Sequence, residues 1–230
     1  GLAAPGAQAA LGRLTAARAA AGLPAAIHDP ALSRLAALHA EYLRLNVPDR
    51  RMTKLEPHAQ VEGLPGWSAE GAAAAKTTDV AWRGDVAAAV GSWLGTLHHR
   101  LPLVEPRLTK VGLASARGAT SPIHVMTFKA GGPRVARPVV CPGNGETGVP
   151  VGFTPSGEEP DPVPGGALAG AGWLITVQFP SAVEHPQLLL RGPSGAALAG
   201  HGSDPAKPAT TAPQGLTACL VTAEPLQPSA

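Results

Sequence analysis

The chain has 230 residues, of which 44% are hydrophobic and only 3% are aromatic. That apolar content excludes an intrinsically disordered chain, and no run reaches the roughly 18 apolar residues of a membrane-spanning helix. The net charge of +2 conceals a split, because residues 1–137 carry 16 of the 18 Lys and Arg but 9 of the 16 Asp and Glu. A basic first part and an acidic remainder differ from the Lys/Arg stripe with stacking aromatics of a nucleic-acid binder, so we expect no nucleic-acid partner.

The first part of the chain predicts four helices followed by two strands. Apolar residues at helical spacing, N-cap residues and helix-ending Gly and Pro give the helix bounds. Alternating, β-rich runs give the strands, with a turn between them. Helices first and an antiparallel pair afterwards favour an α+β fold over a doubly wound sheet. The predicted helices are 7–21, Asp29-Pro30 to just before Pro48, 69–75 behind Ser68, and Asp85 to Pro102; the predicted strands are 109–116 and 123–129.

Proline divides the sequence, since 16 of the 25 prolines lie in the last 99 residues. Short β-rich runs separated by turns follow, as in a sandwich of the immunoglobulin (Ig) type. We therefore predict a first domain over 1–131, a linker over 132–138 and an all-β domain over 139–230. The predicted strands of that second domain are 139–141, 149–153, 173–179, 187–191 and 216–221.

Three side chains suggest a metal site. His58, Glu70 and His99 supply two imidazoles and a carboxylate, a donor set that a divalent ion such as zinc accepts. Their spacing is not diagnostic, because no pair fixes two ligands on one helical turn. The alternative for His99 is that it caps the C-terminus of the fourth helix, where a cation meets the negative end of the dipole. His39, on the apolar face of the second helix, is expected to be a core histidine.

Searches for a nucleophile give no motif. No GxSxG is present, and Ser68, Ser92 and Ser115 have no His and Asp at a recognisable spacing. Cys141 and Cys219 lie in predicted strands, which favours buried structural thiols or a disulfide between them over catalysis.

The acidic loop at 154–171 contains Glu158, Glu159 and Asp161. Such a cluster is usually a solvated loop, with a calcium site as the alternative. Because the first part of the chain is basic, this loop is also our candidate interface, within one chain or between chains.

Three segments together resemble a known family. They are LGRLTAARAAAGLPAAIHDPALSRLAALH at 11–39, PGWSAEGAAAA at 65–75 and AVGSWLGTLHHRLPLVEPRLTKVG at 89–112. The last is similar to a signature in which a helix with Trp ends in His-Arg, followed by a strand with Val-Gly. The sequence of residues 7–130 resembles the CAP superfamily in its bacterial secreted form, which includes relatives of cysteine-rich secretory proteins, antigen 5 and plant pathogenesis-related proteins.

This resemblance implies an α-β-α sandwich with a cleft that holds two histidines and two acidic residues. Carried over, His58, Glu70 and His99 match three of the four, and Trp93 lies beside them in the cleft. The second carboxylate falls on residues 94–96, which contain no acid, so the set is incomplete. Some members bind a divalent ion there, and zinc is the cofactor that the resemblance implies.

The second domain resembles a bacterial Ig-like module. CPGNGETGVPVGF at 141–153 is similar to the module's opening, and AEPLQPSA at 223–230 resembles the point before its last strands. We therefore expect a sandwich that lacks its last strands, whose unpaired backbone groups another chain can satisfy by strand addition.

Three functions remain open at this point. The first is a secreted, non-catalytic CAP-domain protein that binds an ion, lipid or small ligand in its cleft. The alternative is a structural or adhesive subunit of an extracellular polymer at the cell surface. Its partners are copies of itself, joined head-to-tail or by strand addition, or other cell-surface proteins. The second alternative is a metal-assisted hydrolase.

Overall fold

A computed structural model describes residues 6–47, 56–82, 84–153, 158, 161–163 and 170–227. The chain forms two compact units. No helix in the described part is long and apolar enough to cross a membrane. The first unit contains Gly1–Ala16, Pro24–Trp93 and Arg107–Gly132, and the second contains Ala17–Leu23, Leu94–Pro106 and Pro133–Ala230.

The first part of the chain alternates helices and strands more often than predicted. Two short strands, β1 and β2, are additional to the predicted elements, and the predicted fourth helix is divided in two. In chain order the elements are α1 (Ala7–Ala20), β1 (Ile27–His28), α2 (Pro30–Asn46), α3 (Ala69–Ala75), β2 (Thr78–Ala81), α4 (Val86–Leu94), α5 (Leu97–Leu103), β3 (Leu108–Arg117) and β4 (Pro122–Ala130).

Local capping chemistry sets the starts of α2 and α3, as predicted. The Asp29 carboxylate accepts from the N–H groups of Ala31 at 2.8 Å and Leu32 at 3.3 Å, so it satisfies donors that the first turn leaves unpaired. Ser68 Oγ accepts from Gly71 N–H at 3.0 Å in the same way. The side-chain patterns that predicted these caps are therefore confirmed.

The sheet of the first unit has the strand order β1-β3-β4-β2, with β1 parallel to β3 and the other pairs antiparallel. Helix α2 packs on β3 and β4 and forms an apolar core with them. Gly112 allows this close approach, because a Cβ there would lie 2.2 Å from the backbone carbon of Leu32. The core residues are Ala36, Ala40, Tyr42, Leu43, Val47, Val80, Ala114, Ile123 and Val125.

The predicted fourth helix begins as expected, since Asp85 Oδ1 accepts from Ala88 N–H at 2.7 Å. The helix ends after Leu94, because side chains bind both groups of the next helical hydrogen bond, the Leu94 carbonyl and the His98 N–H. Arg100 Nε donates to the Leu94 carbonyl at 2.6 Å, and His98 N–H donates to Glu158 at 2.5 Å. The predicted end at Pro102 is wrong, because that proline lies inside α5.

Two charged side chains hold the ends of the short helix α5 within the second unit. At its start, the buried Glu158 carboxylate also accepts from Leu97 N–H at 2.7 Å. At its end, buried Arg18 donates to the carbonyls of Leu103 at 2.8 Å and Glu105 at 3.0 Å. An anion at the N-terminus and a cation at the C-terminus both complement the helix dipole. Burial lowers the pKa of Arg18 to about 10, against the opposing effect of Glu105.

The rest of the second unit contains one four-stranded antiparallel sheet with the order β5-β6-β8-β7. The predicted strands at 149–153 and 187–191 reduce to single bridges, Gly152 with Gly172 and Arg191 with Ala197. Within the second unit, the described residues form this one sheet and not the pair of sheets expected of an Ig sandwich. The strands are β5 (Val139–Cys141), β6 (Leu174–Gln178), β7 (Gly200–Ser203) and β8 (Thr217–Thr222).

The two cysteines form one row across this sheet but are not bonded. Cys141 of β5 and Cys219 of β8 both pair with Thr176 of β6, which lies between them. Two strand spacings separate their backbones by about 10 Å, too far for a disulfide. Both are buried free thiols, so the disulfide alternative is wrong for this structure. Burial raises the pKa of both, that of Cys219 to about 12.

Candidate functional site

The site of the first unit is built around a buried histidine on α2. His39 is fully buried, as expected of a core residue, and its Nε2 lies 2.9 Å from the carbonyl of Pro57. A carbonyl only accepts, so Nε2 carries the proton and Nδ1 accepts from the Gln60 amide at 3.2 Å. The pKa of His39 is lowered to about 4, because burial, helped by neighbouring His58, outweighs the opposing effect of the Pro57 hydrogen bond.

Hydrogen bonds continue from this histidine to the start of α3. Gln60 Oε1 accepts from Ser68 N–H at 3.2 Å, and Ser68 in turn caps α3. The 56–68 loop and the first turn of α3 are therefore fixed to α2 through His39. No spacing signal pointed to Gln60, because its His39 contact joins side chains 21 residues apart and its other contact is with the backbone of Ser68.

Glu70 lies in that first turn of α3, as predicted. Both of its carboxylate oxygens accept from the Arg34 guanidinium, at 2.8 and 2.9 Å. The hydrogen bonds to Arg34 lower the pKa of Glu70. Both side chains are more than half exposed, so solvent screens the pair.

The predicted metal set is distributed over both units. His58, whose N–H donates to Glu56 at 3.2 Å, lies with Glu70 in the first unit, and His99 lies in the second. A metal ion at Glu70 would have to displace the Arg34 guanidinium. Among the described residues, no group of three His, Cys, Asp or Glu side chains is placed to hold a metal ion. Zinc binding by this set stays a prediction.

The other two predicted cleft features have structural roles. His99 lies in the first turn of α5 with Nδ1 3.0 Å from Thr96 Oγ1, so its predicted place at a helix C-terminus is wrong. Trp93 is buried, and its indole N–H donates to the Val80 carbonyl of β2 at 3.2 Å. Its indole therefore ties α4 to the sheet.

The acidic loop is not uniformly solvated. Glu158 is 3% exposed and is engaged with α5, and His98 Nδ1 lies 3.0 Å from its carboxylate. Asp161 Oδ1 accepts from Val163 N–H at 2.8 Å, a local turn. Glu159 lies outside the described residues. The contacts of Glu158 are made within the chain, which fits the first alternative for this loop, and an interface between chains stays a prediction.

One contact between polar side chains was not predicted from spacing. Ser115 Oγ of β3 lies 2.7 Å from Nδ1 of His124 on β4. The two residues are direct partners across the hairpin. The signal for it was the turn at 118–122, which fixes the register of the two strands.

Comparison with known proteins identifies the first part of the chain. The family model for CAP, the cysteine-rich secretory protein family, matches residues 11–128, which is 118 of the 230 residues. A search of curated proteins finds no match. The match includes α2, α3, β3 and most of β4, and the mixed helix-and-sheet architecture is consistent with the α-β-α sandwich of that family. The chain therefore belongs to the cysteine-rich secretory protein (CAP) family.

Proposed function

We propose that the protein is a secreted CAP-domain protein with a non-catalytic binding site for a small amphipathic ligand where α2, the 56–68 loop and α3 meet. The observation that supports this is the hydrogen-bond chain from Pro57 through His39 and Gln60 to Ser68. These hydrogen bonds use both ring nitrogens of a fully buried, neutral histidine, and they fix the 56–68 loop and the start of α3. Those segments carry the polar groups of His58 and Glu70, so a ligand meets a preorganised surface.

Apolar side chains at the same junction favour an amphipathic ligand over a bare ion. Val61 N–H donates to the Tyr42 hydroxyl at 3.0 Å, which holds the loop against α2. Val61 and Leu45 are 48% and 40% exposed there. An apolar surface beside polar groups suits a fatty acid or a single-chain lipid.

Titration of the full chain with a fluorescent fatty acid, and separately with Zn²⁺, tests this proposal. We expect fatty-acid binding that Gln60→Ala weakens at least 10-fold, since the loop then loses its tie to His39. His201→Ala, on exposed β7, is the matched control and should bind as wild type. Absence of fatty-acid binding, or equal binding by all three proteins, contradicts the proposal.

Self-association through the second unit is the other candidate, supported by its sheet edge. Strand β7 is an edge strand, and Gly200, His201 and Gly202 are exposed along it. Exposed edge strands offer unpaired backbone groups to a second chain. Light scattering in low and high salt tests this candidate, because a single species of 23.1 kDa in both contradicts it.

A further inference from the structure

The Ser115–His124 pair has the geometry of a nucleophile beside its base. The two residues oppose each other on β3 and β4, and their side chains lie on the same face of the sheet. His124 is 4% exposed, whereas Ser115 is exposed. A buried base next to an accessible hydroxyl is the arrangement that an activated serine requires.

The second ring nitrogen of His124 fixes the direction of the proton. His124 Nε2 lies 3.1 Å from the carbonyl of Gly84, which only accepts, so Nε2 carries the hydrogen. In the neutral ring Nδ1 is then an acceptor, and the Ser115 hydroxyl donates to it. This is the orientation in which a histidine removes the serine proton, with Gly84 holding the tautomer.

A second Ser–His contact in the same unit shows what a structural pair looks like. Ser33 Oγ lies 2.8 Å from His28 Nε2, but it also donates to the Asp29 carbonyl and accepts from Leu113 N–H. The Ser33 hydroxyl therefore both donates to and accepts from backbone groups. Among the described residues, Ser115 Oγ has the single hydrogen-bond partner His124.

The backbone at Ser115 supplies a donor for developing negative charge. The Val111 carbonyl accepts from Asp29 N–H, and Leu113 N–H donates to Ser33. At these alternate residues of β3 the backbone N–H and C=O groups therefore point away from β4. Ser115 is the next of these alternate residues, and β1 pairs with β3 only at Lys110 and Val111. The Ser115 N–H therefore lies at the strand edge beyond β1, where an oxyanion can meet it.

We propose that Ser115 is a nucleophilic serine, activated by His124, that reacts with small acyl esters. Ser115 Oγ bonds to the carbonyl carbon while its proton passes to His124 Nδ1. The ester C–O bond then breaks, and the alcohol leaves with that proton. Water attacks the acyl-serine, gives its proton to His124, and releases the carboxylic acid as Ser115 regains the proton. This activity lies apart from the ligand site proposed above and does not depend on it.

Labelling of the full chain with a fluorophosphonate probe tests the pair. Attack of the serine hydroxyl on phosphorus expels fluoride and leaves a covalent adduct on the serine, which mass spectrometry detects. We expect one adduct, mapped by peptide mass spectrometry to Ser115 and absent in Ser115→Ala. Ser33→Ala is the matched control for a serine that also contacts a histidine, and it should be labelled as wild type. His124→Gln should be labelled at least 100-fold more slowly, the usual contribution of a general base.

Cysteine variants keep the proposal testable if His124→Gln fails to fold. Ser115→Cys leaves His124 in place, and its thiol should react with iodoacetamide at least 10-fold faster than that of Ser92→Cys, on the exposed face of α4. Equal alkylation rates, or an adduct on any serine other than Ser115, would overturn the assignment. Turnover of 4-nitrophenyl acetate that survives in Ser115→Ala would overturn the esterase step.

Discussion

The two units achieve burial by different means. In the first, α2 lies on a sheet through a continuous apolar cluster centred on Tyr42 and Leu43. In the second, Arg100 lies at the centre, 1% exposed, and donates to the carbonyls of Cys141 at 3.1 Å and Leu174 at 3.0 Å. Its guanidinium also lies 5.7 Å from the centre of the Trp173 ring. The second unit therefore has a buried cation that cross-links its centre in addition to apolar clusters of its own, whereas the first packs α2 on its sheet through hydrocarbon.

This contrast teaches how a chain with 25 prolines and few aromatics completes a core. The strands of the second unit are three to six residues long, so each buries little apolar surface. Charged side chains that reach several carbonyls supply cross-links that short strands lack. Breaking those links should therefore cost the second unit more than any single polar change costs the first.

The largest expected effect is that of Arg100→Met, which keeps the volume and removes the donors. Three carbonyls, including that of Leu94, lose the guanidinium donor, although that of Cys141 still accepts from Thr176 Oγ1 at 3.4 Å, and each buried group left unsatisfied costs about 1–3 kcal/mol. We expect a loss of roughly 3–5 kcal/mol in the free energy of unfolding, measured by urea denaturation. Arg107→Met, on an exposed arginine, is the control and should change the free energy of unfolding by less than about 0.5 kcal/mol. A loss as small as the control's would remove the contrast between the units.

The first unit should show a pH dependence that comes from His39. Its pKa is about 4 in the folded chain and about 6.5 when unfolded, so between those values the unfolded chain binds the extra proton. Stability is therefore full above pH 6.5 and falls as the pH drops to 4, by up to about 3 kcal/mol. Urea unfolding at pH 7, 6, 5 and 4 measures it. His39→Gln should flatten that part of the curve, whereas His201→Gln should leave it unchanged; parallel curves for all three proteins contradict the prediction.

Glu158→Gln should have an intermediate effect, confined to the second unit. The amide retains one acceptor oxygen but loses the charge that faces two N–H groups and His98. Hydrogen bonds to charged groups contribute about 1.5–3 kcal/mol, so we expect a loss of about 2 kcal/mol. Hydrogen exchange at the Leu97 and His98 amides is the local measurement. Glu224→Gln, an exposed carboxylate, provides the comparison; unchanged protection of both amides would count against the cap.

Ser68→Ala should have the smallest effect. The N-cap bond to Gly71 is lost, which costs about 1 kcal/mol, while the Ser68 N–H to Gln60 remains. Thermal unfolding followed by circular dichroism measures the change. Ser92→Ala, on an exposed helix face, is the control and should be neutral or slightly stabilising. A loss above 2 kcal/mol would show that this cap carries more of the first unit than its single bond explains.

The parts of the fold that local chemistry decides could be predicted from the sequence. Asp29-Pro30 and Ser68 begin helices because a side chain two or three residues away satisfies the first turn. The β3–β4 hairpin follows from alternation and a turn. All of these signals lie within a few residues of the feature that they predict.

The parts that were missed depend on partners far along the chain. The break between α4 and α5 requires Glu158, about 60 residues away, to take the His98 N–H. The chain from His39 through Gln60 joins segments about 20 residues apart. Neither strand β1, with two residues, nor the engagement of Glu70 by Arg34 leaves a periodic pattern. Of the candidate site, the positions of His58 and Glu70 on a loop and a short helix could be predicted, but not their partners.

The row of Cys141, Thr176 and Cys219 gives the second unit an internal reporter. Folded, both thiols are buried and their pKa values are raised, so an alkylating reagent meets almost no thiolate. Modification then requires the sheet to open, and the rate at which each sulfur is labelled measures how often its strand separates. The native sequence thus contains two thiols whose labelling rates report local opening, one on an edge strand and one on an interior strand.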